Sequence, residues 1–369
     1  MKTARIPLFD WLIENLPKAK FDLANSSITG VKWSELVELT GFQIPADLNL
    51  NKNDPFGAPE LRMVLGDIYK CDKSFVIPAT GGSEANFIVF LAMVEPGAEV
   101  IVERPGYSPL WLVPQMLGAK IVPWYRTFEG GFALDLERLN ELITERTKLV
   151  VFTNLHNPSG RLAPENDIKA AAELAAERGA ILLIDEIFLD VANTPQTSAA
   201  MTGLENILVT SSVSKVYGIG GFRTGWIISP NDEITKKLLR AKWQGSVAAP
   251  YFSELVNAAA LKYAREKLIQ RTKKIASGNF PLVREWIENN TDILSWVSPN
   301  GGLLCYPQYK TKTKLGSVDL GKKLMADCGV LLSPGEYFGL DGHFRMSYML
   351  PENDLKYALN VVAEVIRKN

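Results

Sequence analysis

Between residues 56 and 243 the chain alternates short, mostly apolar runs with longer stretches in which apolar positions recur every three or four residues. The short runs are residues 99–102, 119–122, 149–152, 181–184, 207–210 and 226–228. Runs of this length without a regular polar alternation predict strands covered on both faces. The periodic stretches, such as 87–93 and 167–178, predict helices. Strand and helix in turn predict an α/β layer around a mostly parallel sheet, with the 226–228 run compatible with an antiparallel direction. Beyond Phe252 a charged amphipathic stretch to Asn289 predicts a long helix, with a bend at Gly278 and Pro281. Four later runs, 294–297, 303–306, 330–332 and 344–348, predict the short strands of a smaller α+β part.

Against that layer, one stretch carries chemistry: Ser211-Ser212-Val213-Ser214-Lys215-Val216-Tyr217-Gly218-Ile219-Gly220-Gly221-Phe222-Arg223. A lysine amine can bond an aldehyde cofactor covalently while neighbouring Ser212 and Arg223 hold that cofactor's phosphate. Alone, the stretch reads equally well as a basic, glycine-rich surface loop. Three others shift the balance. Asp185 closes the 181–184 run and so emerges at a strand's carboxyl end, where open α/β sheets place ligands. The 148–153 run delivers Asn157 to the same edge through the turn Asn154-Leu155-His156-Asn157-Pro158-Ser159-Gly160. Thr80-Gly81-Gly82-Ser83-Glu84-Ala85-Asn86 opens the helical run at 87, and the free N–H groups of a helix start favour an anion.

In their order and spacing these motifs resemble the class I/II aminotransferases of the aspartate aminotransferase superfamily, fold type I enzymes that depend on pyridoxal 5′-phosphate (PLP). The resemblance runs from about residue 20 to the C-terminus. It implies a large PLP-binding α/β domain (46–275) with a mostly parallel, seven-stranded-type sheet. A smaller α+β domain would be formed by residues 1–45 and 276–369, closing over the cofactor. By the same resemblance Lys215 is the catalytic lysine that bonds the cofactor, Asp185 the partner of its ring nitrogen and Asn157 a donor to its phenolic oxygen. Gly82, Ser83 and Glu84 (through the backbone), Ser212 and Arg223 would hold the phosphate, and Tyr107 would stack on the ring. Arg345, in His343-Phe344-Arg345-Met346-Ser347, would bind the substrate α-carboxylate, with Asn157 and Asn25 beside it. The implied activity is transamination between an amino acid and a 2-oxo acid in a homodimer. The same cofactor also serves β-elimination, decarboxylation and cyclisation, which residue order does not separate.

Two positions depart from the family pattern. Where a tyrosine usually stands three residues after the aspartate, this chain has Phe188, without a hydroxyl. Where a second tyrosine is lent by the neighbouring subunit to the phosphate, it has Lys52 or Asn53. The retained residues imply PLP binding; aspartate does not follow as the substrate.

Composition narrows the classes further. Forty Lys+Arg against 41 Asp+Glu, without a like-charge run, give no footprint for nucleic acid, and no helix-turn-helix segment is present for a PLP-binding regulator. Cys71, Cys305 and Cys328 are odd in number and far apart, as expected in a reducing compartment. The N-terminus lacks the apolar core of a signal peptide and no stretch reaches membrane-spanning length, so a cytoplasmic enzyme is expected. His156 and His343 are too few for a metal site, and both are expected to be structural or peripheral, with His156 beside the pocket.

Overall fold

The computed structural model describes residues 5–229, 231–312 and 315–369. Residues 1–4, part of the segment assigned to the smaller domain, lie outside the described residues. The central sheet has seven strands: β1 (Val76–Ala79), β2 (Glu99–Arg104), β3 (Lys120–Tyr125), β4 (Thr147–Thr153), β5 (Ile181–Asp185), β6 (Ile207–Ser212) and β7 (Gly225–Ile228). Their spatial order is β1-β7-β6-β5-β4-β2-β3, and all neighbours are parallel except β7, which runs antiparallel to both β6 and β1. The expected α/β class and its mostly parallel sheet are thus observed.

Apolar side chains leave both faces of these strands. Val150, Phe152, Leu182, Ile184 and Val209 belong to one core, while Leu149, Val151, Leu183 and Leu208 belong to the core on the opposite face. Burial on both faces explains why the runs lack polar alternate positions. Register then decides where the chemistry sits. Thr153 pairs with Asp185, and Asp185 with Thr210, so three adjacent parallel strands present these side chains abreast at the carboxyl edge.

Outside the central sheet, segments from both ends of the chain meet in short strands. Phe21–Asp22 pairs in parallel with Val330–Leu331, and Phe344–Ser347 lies between Leu304–Cys305 and Ser333–Pro334. The helix Arg265–Glu288 is continuous through Gly278 and Pro281, where a bend is expected, and a π-helical turn, Ala260–Ala264, precedes it. Pro281 is exposed, while Thr272, Asn279, Val283 and Trp286 are buried on the inner face, and Asn279 Nδ2 donates to the carbonyls of Tyr348 (2.7 Å) and Leu350 (2.8 Å). Packing on either side outweighs the single backbone bond a proline removes.

Beneath the carboxyl edge lies a buried ion pair. Arg126 Nη1 donates to Glu103 Oε2 at 2.7 Å, with both side chains fully enclosed. The other carboxylate oxygen accepts from Thr153 N (2.7 Å) and Thr153 Oγ1 (2.6 Å). Removing the carboxylate strands the guanidinium in the interior. Glu103→Ala is therefore expected to lower unfolding free energy by about 3–5 kcal/mol, measured by chemical denaturation.

Candidate active site

A cavity of about 160 Å³ opens at this edge, lined by Gly82, Ser83, Tyr107, Asn157, Asp185, Phe188, Ser212, Lys215, Arg223 and Arg345 among others. The structure brings together ten of the sequence-predicted residues from separate parts of the chain. One expected residue is placed differently. Asn25 is exposed, its side-chain oxygen accepts from Ser27 N, and Ser26 lines the cavity instead. Glu84, expected to act through its backbone, stands in the first turn of the helix Gly82–Met93, and its carboxylate accepts from Thr80 N, tying down the turn that precedes that helix.

The glycines of that turn have a steric reason. Gly81 has φ +85°, and a Cβ there would lie 2.4 Å from Arg223 Nη2. One on Gly225 would lie 2.3 Å from the Gly81 carbonyl carbon. Only bare backbone lets strand β7, the Arg223 guanidinium and the start of the helix Gly82–Met93 converge. The result is an anion cradle of helix N-terminus, hydroxyls and guanidinium.

Asp185 is 6% exposed, and its oxygens accept from Asn86 Nδ2 (2.9 Å) and Ile187 N (3.1 Å). Asn86 is itself oriented by Thr210 Oγ1, which donates to its oxygen at 2.7 Å. Burial raises the Asp185 pKa, and among the described residues no lysine or arginine forms an ion pair with it. A buried carboxylate is costly without a cationic partner.

Lys215 stands on a loop braced from behind. Tyr217 hydrogen-bonds Asp190, Asp190 pairs with Arg265 (2.5 Å), and Thr272 Oγ1 donates to Val216 O (2.6 Å). Burial lowers the Lys215 pKa to about 8, helped by Arg345 and Arg223 and opposed by Asp185. About a tenth of the amine is then neutral at pH 7, against well under a thousandth for an ordinary lysine. Covalent attachment of PLP to cofactor-free protein is therefore expected to accelerate with pH around a midpoint near 8 instead of 10.5, as followed by stopped-flow absorbance.

Arg345 is 2% exposed. Its Nη1 donates to Asn157 Oδ1 (3.1 Å), its Nη2 to Ala24 O (2.8 Å) and Ser333 Oγ (3.3 Å), while its buried Nε has no partner. Phe338 lies against the guanidinium with 4.8 Å to the ring centroid. Asn157 N is held by Thr153 Oγ1 (2.8 Å), which connects Asn157 through Thr153 to Glu103. Tyr107 is packed edge-on against Phe9, and burial, with Asp185 adding to it, pushes its hydroxyl up to about 12. His156 does not line the cavity: it is buried behind Asn157, with Nδ1 2.6 Å from Ser159 Oγ and Nε2 2.8 Å from Pro105 O.

The sequence pattern of the family Aminotransferase class I and II matches residues 49–362. The chain belongs to that family. It is 30% identical to capreomycidine synthase of Streptomyces vinaceus over 97% of this chain and 92% of that protein. It is 28% identical to the aspartate/prephenate aminotransferase of Thermus thermophilus over 85% of this chain and 82% of that protein. A PLP-dependent aminotransferase from Streptococcus suis superposes with a TM-score of 0.92 at 27% identity, covering 100% of this chain and 99% of that one.

PLP is the cofactor of class I and II aminotransferases, and this cavity fits it. Asp185 lacks the cation that a protonated ring nitrogen supplies, and the Arg223 guanidinium meets the helix start with no carboxylate paired to it among the described residues. Arg345 retains an unpartnered buried N–H for an anion. Phe188 is 3% exposed and lines the cavity, so the missing hydroxyl is missing at the site itself. Lys52 and Asn53 do not line the cavity of their own chain, and Lys52 Nζ lies 4.4 Å from the Tyr251 ring centroid. Sequence reasoning missed Asn86, Thr153 and the N-terminal side chains Leu8, Phe9 and Leu12. A signal existed for Asn86, which stands four residues after Gly82 on the same helical face.

Proposed function

We propose that this protein moves the amino group of an α-amino acid to a 2-oxo acid in two half-reactions, with Lys215 as covalent anchor and proton carrier. What supports this reading most is the meeting of Lys215, Asp185, Asn157 and Arg345 in one cavity. When bound, PLP supplies an aldehyde that takes up amino groups and a ring that draws electron density from the substrate Cα. Asp185 keeps a proton on the ring nitrogen, because a buried carboxylate favours the cationic form beside it. Gly82, Ser83 and Glu84 offer backbone N–H groups to the phosphate, joined by Ser212 and Arg223. Asn157, its oxygen engaged by Arg345, offers its NH₂ to the phenolic oxygen. Tyr107 covers a face of the ring.

Arg345 takes the α-carboxylate with a planar fork, which sets orientation as well as position. Orientation decides which Cα bond is broken. Lys215, poised by burial to lose its proton near neutral pH, would lift the Cα proton and deliver it to the cofactor's aldehyde carbon, on the far side of the amino nitrogen. Residues 1–45 and 276–369 form the part that closes over residues 46–275 and excludes water. The working unit is a homodimer in which Lys52 or Asn53 serves the neighbouring phosphate.

Capreomycidine synthase favours a second reading, in which the same residues support elimination, decarboxylation or cyclisation of an amino acid. Mixing holoenzyme with single amino acids separates the two. Transamination gives one 2-oxo acid per site without acceptor, and parallel lines when acceptor is varied. Ammonia, carbon dioxide or a cyclic product in its place sinks the transaminase reading.

A further inference from the structure

The groups that face PLP in the proposed reaction, with the side chains that hold them, account for most of the cavity wall, leaving Leu8, Phe9, Leu12, Ile187, Ser26, Ser214 and Arg345. Leu8, Phe9 and Leu12 come from one helix, Pro7–Asn15, and Leu8 and Leu12, four residues apart, share its inner face. That helix is fixed in place: Trp11 Nε1 donates to Leu332 O at 2.9 Å, and Leu8 packs into a cluster with Phe132, Tyr306 and Phe338. Phe338 is also the ring against the Arg345 guanidinium. The substrate chamber therefore consists of one arginine, two serines and an apolar wall continuous with an aromatic cluster.

Its charges leave nothing over. The cations that line the cavity among the described residues are Lys215, Arg223 and Arg345, and its one carboxylate is Asp185. The first bonds the cofactor, the second faces its phosphate, the third holds the substrate α-carboxylate, and Asp185 faces the ring nitrogen. A second carboxylate on the substrate would meet Leu8, Phe9 and Leu12 with no cation. A guanidinium or ammonium side chain would meet them with no anion. Either would be an unpaired charge removed from water, whereas a hydrocarbon side chain would gain burial.

We infer that the amino-acid substrate carries a single carboxylate and an uncharged, apolar side chain, seated against Leu8, Phe9 and Leu12. This rests on the proposed assignment of Arg345 and of the cofactor-facing residues. The test uses carboxylates that lack the amino group, so that its result is independent of transamination. Holoenzyme is titrated with 4-methylpentanoate and 3-phenylpropanoate, and in parallel with succinate, glutarate and 5-guanidinopentanoate. Binding is read by calorimetry and by the cofactor's absorbance. The apolar acids are expected to bind at least about tenfold more tightly than the charged ones. In Leu12→Arg that order is expected to narrow or reverse, with succinate gaining. Equal or tighter binding of succinate, glutarate or the guanidino acid by the unaltered holoenzyme overturns the inference, including through a cation lent by a second copy of the chain. Failure of transamination itself would appear separately, as absence of 2-oxo acid from every amino acid offered.

Discussion

Lys215→Ala is expected to fold, to hold PLP without a covalent link, and to lose turnover by roughly a hundred- to ten-thousandfold, the scale of removing a positioned acid–base group. Folding should survive because no hydrogen bond or ion pair among the described residues uses the lysine amine, and burial already disfavours its charge. The phosphate contacts proposed for Gly82, Ser212 and Arg223, and the ring contact proposed for Asp185, do not involve the lysine, so non-covalent retention should persist. Borohydride reduction of the unaltered holoenzyme followed by peptide mapping checks the assignment. A reduced adduct on any other lysine would refute it.

Arg345→Lys is expected to reduce kcat/KM roughly ten- to hundredfold for every α-amino acid accepted, the loss of a charge-assisted bond worth about 1.5–3 kcal/mol. A lysine keeps the charge but loses the planar fork that reaches Asn157 Oδ1, Ala24 O and Ser333 Oγ together. Because the α-carboxylate is common to all amino acids, the loss should not depend on the side chain. The resting cofactor absorbance should be retained, since Asp185 and Lys215 are untouched. Near-normal kcat/KM in this variant would assign Arg345 to holding the N-terminal segment through Ala24 alone.

The two variants probe residues that were legible for different reasons. Lys215, Asp185 and Asn157 each sit where local chain features aim them: a hydroxyl- and glycine-rich loop, the end of an apolar run, and a proline turn. Asp185 and Thr210 stand level because Leu182 pairs with Ile207, one residue out of step with the two apolar runs, a register that only the packed sheet fixes. Strand β1 escaped notice because it is four residues long and contains Pro78, which an edge strand paired on one side tolerates.

By itself the sequence determined the α/β layer and the delivery of Lys215, Asp185 and Asn157 to the carboxyl edge of its strands, because each depends on neighbours within one strand, turn or loop. Tertiary structure decided the rest. The Glu103–Thr153–Asn157 chain joins residues some fifty positions apart, and Arg345 reaches Asn157 across 188 positions. The helix Pro7–Asn15 brings Leu8, Phe9 and Leu12 to a cavity built from residues 82 to 345. Ser26 lines that cavity while Asn25 turns outward, a choice made by the Asx turn onto Ser27 and the pairing of Phe21–Asp22 with Val330–Leu331. Apolar periodicity says that such a helix must bury a face; which face of the protein receives it is settled only when distant segments pack, since the hydrophobic effect is strong but has no direction.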